Sequence, residues 1–258
     1  MKHLSQLTPA ELLVLTKDGV THRELLKLTF IDLLLKQVLK TYEVERRPHV
    51  NDKVRVYTYV GIGKNFETYN SLNHERVFLS PFSADDSIEI LFGNLVKIAY
   101  QKSRTLLDYK KDITKTPTLK KCFSQNFIQR IFYRYSTTEY GKELKKEVKE
   151  EILNQGNKLA DLSTIESQKA VELIKEIGAN IFLLTNIDNE LLSQIDMDLG
   201  NLINQDRYSD SGGGCSSWSF DDYSSSFDSS CGGHGHGCSS GCSGCGSGCS
   251  GCGGCGGD

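Results

Sequence analysis

The first 204 residues contain a single cysteine, Cys122, and the other eight of the chain's nine lie from residue 215 onward. One thiol in roughly 200 residues cannot staple a secreted fold, so a disulfide framework is excluded for the body. Long apolar runs are missing too. Runs such as Ile181 to Leu184 are far below the 18 or so residues that a membrane helix needs, so no membrane span is expected. The opening stretch, MKHLSQLTPAELLVLT, lacks the basic-then-apolar pattern and the small-residue cleavage site of a secretory signal. These absences together predict a cytoplasmic protein with reduced thiols.

Charge of one sign is also scarce. The chain carries −3, the segment from Gln205 carries −5 from six Asp and one Arg, and the body is therefore close to +2. Such a balance gives no bulk electrostatic case for nucleic acid or an anionic membrane. Catalytic patterns are absent as well. His74-Glu75 is followed by Arg76, Val77 and Phe78 rather than completing a zinc-protease motif. Gly61-Ile62-Gly63-Lys64 lacks the preceding glycine, the following Ser or Thr and the helix start of a phosphate loop. Cys122 has no protease-like surroundings and reads as a buried structural thiol, and His22, inside a helix cap, reads as exposed. No nucleophile–base pair stands at a recognisable spacing, and the expectation is a non-enzymatic protein.

What is present in excess lies at the C-terminal end. From Cys231 the sequence is CGGHGHGCSSGCSGCGSGCSGCGGCGGD, which has no aliphatic side chain and cannot build a core. Cys231, His234, His236 and Cys238 put two thiols and two imidazoles within eight residues. Cys242-x-x-Cys245, Cys249-x-x-Cys252 and Cys252-x-x-Cys255 each have the spacing that lets two thiolates hold one ion. Zinc takes four such ligands tetrahedrally and Cu(I) favours thiolate, so zinc or copper are the cofactors these residues suit. Three residues between Cys245 and Cys249 leave no room for the small core of a zinc finger. A metal form would be cluster-like, with the ion supplying nearly all the folding energy. Ser239, Ser240, Ser243, Ser247 and Ser250 interleave with the thiols, which keeps open an alternative in which the body carries a modified Cys/Ser peptide.

Residues 205–230 read as a disordered Ser/Asp linker in which Trp218, Phe220, Tyr223 and Phe227 either dock on a partner protein or ride on an inert tether. The 54 residues from 205 span roughly 40 Å as a flexible coil, enough to reach any face of the body.

The body reads as α+β and mostly helical. Thr8-Pro9-Ala10-Glu11 and Thr21-His22-Arg23-Glu24 are capping boxes, each opening a Leu-rich helical pattern. The second pattern runs through Val38, either as one helix or as two divided at Thr29 and Phe30. Two alternating runs, Tyr42 to Arg46 and Val54 to Val60, follow with a turn at Asn51-Asp52. Three helices and a hairpin are the order of a winged helix. A short helix ending at Pro81 comes next. A third box at Asp86 to Glu89 then predicts a helix start. Beyond Lys102 helices are expected around Leu106 to Tyr109, over Tyr140 to Asn157 with Leu144, Val148, Ile152 and Leu153 inward, from Ser163 to a break at Gly178, and over Glu190 to Ile203. Phe127 to Tyr135 is ambiguous: Arg130, Tyr133, Arg134 and Tyr135 resemble a basic–aromatic patch, and an amphipathic core strand is the favoured reading. The domain reading is a winged-helix-like region over 1–101, a mainly helical region over 102–204 packed on it, and the linker and tail over 205–258.

The stretch LTPAELLVLTKDGVTHRELLKLTFIDLLLKQVL (residues 7–39), together with the tail from Cys231, resembles a group of bacterial proteins with a winged-helix-like start and a Gly/Cys-rich end. Many of that group are membrane proteins, and this sequence departs from them in having no span. The group has no established activity, so the resemblance implies the layout and carries over no site residue. A winged helix would in turn imply a DNA-binding or protein-interaction regulator, with Thr29, Asp32, Lys36 and Lys40 on the outer face of a helix over Phe30 to Leu39. Lys36 and Lys40 suit phosphates, but Asp32 opposes them and no Arg or Asn is placed for base edges, which disfavours nucleic acid as a partner.

Overall fold

The computed structural model describes residues 2–47, 49, 53–83, 85, 87–124, 136–165, 172–173, 175–184, 225 and 227. Helices and small antiparallel sheets alternate along the chain. Helix α1 spans Pro9–Thr16 and α2 His22–Leu35. Strands β1 (Leu39–Arg46) and β2 (Arg55–Ile62) form the hairpin, followed by α3 (Arg76–Leu79), β3 (Ile90–Leu91), α4 (Phe92–Lys102) and α5 (Leu106–Thr114). A two-residue ladder joins β4 (Phe123–Ser124) to β5 (Ser136–Thr137). Helix α6 (Glu139–Ile165) and a 3-10 turn over Gly178–Leu183 complete the order.

Both N-terminal capping boxes form. The Thr8 hydroxyl accepts the Glu11 N–H at 3.3 Å while a Glu11 carboxylate oxygen accepts the Thr8 N–H at 2.8 Å, and Thr21 and Glu24 repeat the exchange. Two orphan donors are satisfied at each helix start. Glu11 is nearly fully buried and also accepts from the Thr116 and Thr118 hydroxyls, which ties α1 to the segment after α5.

Helix α2 lies at the centre of the body. Leu25, Leu26, Phe30, Ile31 and Leu33 are fully buried, and so, within a few per cent, are Thr29 and Asp32. This corrects two expectations. The helix is not divided at Thr29 and Phe30: it runs unbroken over His22–Leu35, and the Thr29 hydroxyl is satisfied by donating to the Leu25 carbonyl. Two helices rather than three therefore precede the hairpin. The stripe Thr29–Asp32 is also not an outer face. With apolar residues on nearly every side, α2 has no solvent face to spare there.

Gln37 ends α2 in the left-handed region at φ 54°. Its N–H donates to the Leu34 carbonyl and the Val38 N–H to the Leu33 carbonyl, both at 2.9 Å. This is a Schellman end, with Leu33 and Val38 as its buried apolar contact. It turns the chain straight into β1, so the helix stops at Leu35 and Lys40 belongs to the strand. The glycine fragment has its own reason here. A Cβ on Gly63 would lie 2.2 Å from the Gln37 carbonyl oxygen, and the Gly63 N–H donates to the Val38 carbonyl at 2.8 Å.

The main sheet has the order β1-β2-β3 and is antiparallel, with Leu39 opposite Ile62 and Arg46 opposite Arg55. Ile90 and Leu91 pair with Val60 and Tyr59, which delays α4 to Phe92. The expected start at Asp86 to Glu89 does not occur. Instead the Ser87 N–H and hydroxyl both donate to the Asp85 carboxylate in a local turn. The short helix before Pro81 forms as expected, with Ser80 at its end.

Helix α6 is longer than its periodicity suggested. Leu144, Val148 and Ile152 point inward, and buried Leu159 carries the same stripe past Asn157. The helix continues through 163–165 rather than starting anew there. Leu153 is 46% exposed, one position round the helix from the stripe that Ile152 occupies. Gly178 does break the chain, at φ +60°. Just beyond it the Asn180 amide donates to the Leu4 and Leu7 carbonyls and holds the N-terminal segment. The expected strand over 127–135, the turn at Asn51-Asp52 and the helix over 190–203 lie outside the described residues.

One apolar core runs from Leu4 to Leu184 and takes in Phe227. Phe227 is 1% exposed, with its ring centroid 6.2 Å from that of Phe92, which in turn lies 5.1 Å from Phe30. For this residue the reading as tether or partner-docking aromatic is corrected: an aromatic ring removes more surface from water than any other side chain, and this one completes the body's own core. Phe227→Ala is expected to lower the stability of the full chain by about 3–5 kcal/mol in urea unfolding, as for other buried aromatics. A tether residue would leave the midpoint unchanged.

Candidate functional site

The nine candidate ligands, Cys231, His234, His236, Cys238, Cys242, Cys245, Cys249, Cys252 and Cys255, lie outside the described residues. Their root is placed, however. Cys231 follows Phe227 by four residues, and a fully extended chain keeps its Cα within about 14 Å of that anchor. Among the described residues there is no group of three or more His, Cys, Asp or Glu able to hold a metal.

A second cluster of chemically capable groups lies inside the body, between α2 and the approach to α3. The Lys36 ammonium donates to Asp32 at 2.6 Å and to the Tyr69 hydroxyl at 3.3 Å, and stands 3.9 Å from a Glu75 oxygen. The Tyr69 hydroxyl donates to that same Glu75 oxygen at 2.8 Å, and the Leu72 N–H donates to the other at 2.7 Å. Both carboxylates are buried, Glu75 the more completely. Burial pushes Glu75 and Asp32 above the usual carboxylate range, with Lys36 pulling both back. Burial alone would lower the Lys36 ammonium, but Asp32, Tyr69 and Glu75 outweigh it and hold it above the ordinary lysine range. This is a closed ionic knot, with each member occupied by another. It also takes from the winged-helix reading the lysine meant for phosphates.

His74, next to Glu75, is 1% exposed, and neither ring nitrogen has a partner among the described residues. Burial, then the Lys36 charge, depresses it to about 3. His22 corrects an expectation of exposure. It is 9% exposed and packs against the Tyr100 ring at 4.6 Å and the Tyr109 ring at 5.6 Å, and burial lowers its pKa. The Tyr109 hydroxyl lies 3.1 Å from both the Thr29 hydroxyl and the His74 carbonyl. Cys122 is fully buried, and burial, then Glu11, pushes its thiol up, away from the thiolate that reactivity requires.

A cavity of about 240 Å³ opens elsewhere, between the N-terminal segment and α6. There His3 Nε2 stands 2.9 Å from Glu147, and the His3 N–H donates to Glu151.

The burial of Asp32 and Glu75 escaped the sequence reading. The available signal was Asp32 as a lone acid inside the apolar run Phe30 to Leu35, with a lysine one helical turn later. Compared with family models, curated proteins and solved structures, the chain matches none. No helix among the described residues is long and apolar enough to cross a membrane.

His74 supplies a pH test. Its folded pKa lies below its unfolded value near 6.5, so its contribution is complete above that value and is lost as pH falls from about 6.5 towards 3. Asp32 and Glu75, shifted upward, act in the opposite sense. The difference between wild type and His74→Leu therefore isolates the histidine. The variant is expected to be more stable near pH 7 by about 1–3 kcal/mol, the cost of buried unpaired polar atoms, and by more as the pH is lowered. Urea midpoints from pH 7 to 4 check this.

Proposed function

We propose that the protein is a non-enzymatic carrier whose helix-rich α+β body presents a Cys/His tail for soft metal ions, zinc or Cu(I). The observation that carries this reading is the confinement of seven thiols and two imidazoles to residues 231–258, a segment with no core-forming side chain. Thiolate and imidazole are the donors such ions prefer, and the intervening glycines let the backbone wrap closely round an ion. Phe227, buried four residues before Cys231, gives the body a fixed point from which the ligands start. The regulator alternative, a winged helix on DNA, is disfavoured by the engagement of Lys36 with Asp32.

The test is titration of the reduced full-length protein with zinc and with Cu(I), against a variant whose nine candidate ligands are Ser or Ala. The expected result is binding at least tenfold tighter than the variant, with proton release as thiols become thiolates. Equal affinity of the two proteins would remove the metal reading. An intact mass lowered by lost waters in the native protein would favour the modified-peptide alternative instead.

A further inference from the structure

The outer face of a half-buried antiparallel sheet is ordinarily polar. Residues directly opposite on paired strands share a face. Leu39, Thr41 and Val60, each at most 3% exposed, mark the core side of the β1-β2 hairpin. The other side therefore carries Lys40, Tyr42, Val44 and Arg46 from β1 and Arg55, Tyr57 and Tyr59 from β2, with half-buried Val44 opposite Tyr57. Glu43 and Glu45 project from the core side, where the hairpin has left the body and both are exposed.

The outer side groups three tyrosines with cations round them. Tyr42 and Tyr59 stand opposite each other with ring planes 16° apart and centroids separated by 5.9 Å. The Arg46 guanidinium lies 5.4 Å over the Tyr59 ring. Gly61 is itself buried, and carbons of Lys40 and Tyr42 lie 3.8 Å from where its Cβ would be. All three tyrosines stay half-buried rather than sinking into the core, while Arg46, Arg55 and Lys40 are exposed. Glu89 stands beside Tyr42, where burial and then its charge hold the phenol neutral.

Arg46 directly opposite Arg55 is a like-charge cross-strand pair and destabilises the hairpin. An anion seated at that pair removes the repulsion. Half-exposed tyrosine rings beside cations that can hold phosphates are what unstacked bases need. We propose that this face of the sheet binds single-stranded nucleic acid, with Tyr57 stacking a base beside the Tyr42–Tyr59 pair and Lys40, Arg46 and Arg55 holding phosphates. A duplex hides its base faces and cannot use the tyrosines. An acidic polypeptide would answer the arginines and leave the rings unused. The surface is independent of the tail's metal chemistry.

The experiment is fluorescence anisotropy of the full chain, in the presence of a chelator, with a labelled single strand of about 12 nucleotides, within the usual site sizes of such surfaces. Three phosphate contacts predict a slope of about −2 for log K against log salt on a single strand. Arg46→Gln combined with Arg55→Gln should weaken binding tenfold or more and bring the slope to about −0.7. Tyr57→Ser should weaken binding about fivefold or more with the slope unchanged, since stacking releases no counterions. Because the double Arg variant relieves a repulsion, its urea midpoint should match or exceed that of wild type, which separates lost binding from lost folding. Three results would overturn the proposal: wild type binding the strand no better than the double Arg variant, a duplex of equal length binding as tightly, or polyglutamate displacing the strand at equal charge concentration.

Discussion

Asp32 and Glu75 would each cost several kcal/mol to bury as isolated charges. Lys36 stands between them, with Tyr69 and the Leu72 N–H filling the remaining acceptor positions on Glu75. Removing one member of such a group leaves an uncompensated charge in the interior, so the three must assemble together. Their positions explain why that matters. Asp32 and Lys36 lie one turn apart at the end of α2, and Glu75 lies just before α3. The knot thus fixes the end of the central helix against the chain that returns from the hairpin.

Geometry propagates from that end. The left-handed Gln37 turns α2 into β1, and Gly63 permits the backbone beyond β2 to pass against the Gln37 carbonyl. Asn65 adds two more bonds to the same corner, its N–H to the Gln37 carbonyl and its side-chain amide to the Lys36 carbonyl. The hairpin therefore leaves the body at a defined angle, with one side on the core and the tyrosine side turned outward. β3 pairs with β2 and delivers Phe92, whose ring meets Phe30 on α2 and Phe227 near the root of the tail. Central helix, outward sheet face and tail root are parts of one packing arrangement, although they carry different proposed chemistries.

Local signals were the ones legible from sequence. Thr8 with Glu11 and Thr21 with Glu24 act over three residues and need nothing from the rest of the chain. The break at Gly178 and the stripe Leu144–Val148–Ile152 are similarly local. Signals that depend on distant partners were misread. Asp86 to Glu89 has the chemistry of a helix start, yet pairing of Ile90 and Leu91 with β2 takes precedence. His22 and Asp32 are polar residues on sides of α2 that face the core, while Arg23, Glu24 and Lys27 take its solvent side, so their types suggested exposure while their positions imposed burial. Phe227 sits in a Ser- and Asp-rich stretch whose average composition predicts no core, and one aromatic residue with a place to go outweighs that average. For the tail, residue types alone supply the candidate ligands, and their chemistry rather than any fold supports the assignment.

Native-state hydrogen exchange on the full chain bears most directly on the role of α2. With the ionic knot at its end and apolar contacts on nearly every side, the amides of residues 26–34 should exchange only through global unfolding. Their exchange free energies should equal the value from urea unfolding, while the projecting residues 44–46 and 55–57 of the hairpin open at lower cost. Exchange of α2 by local opening, at free energies below those of α6, would contradict the central place assigned to it.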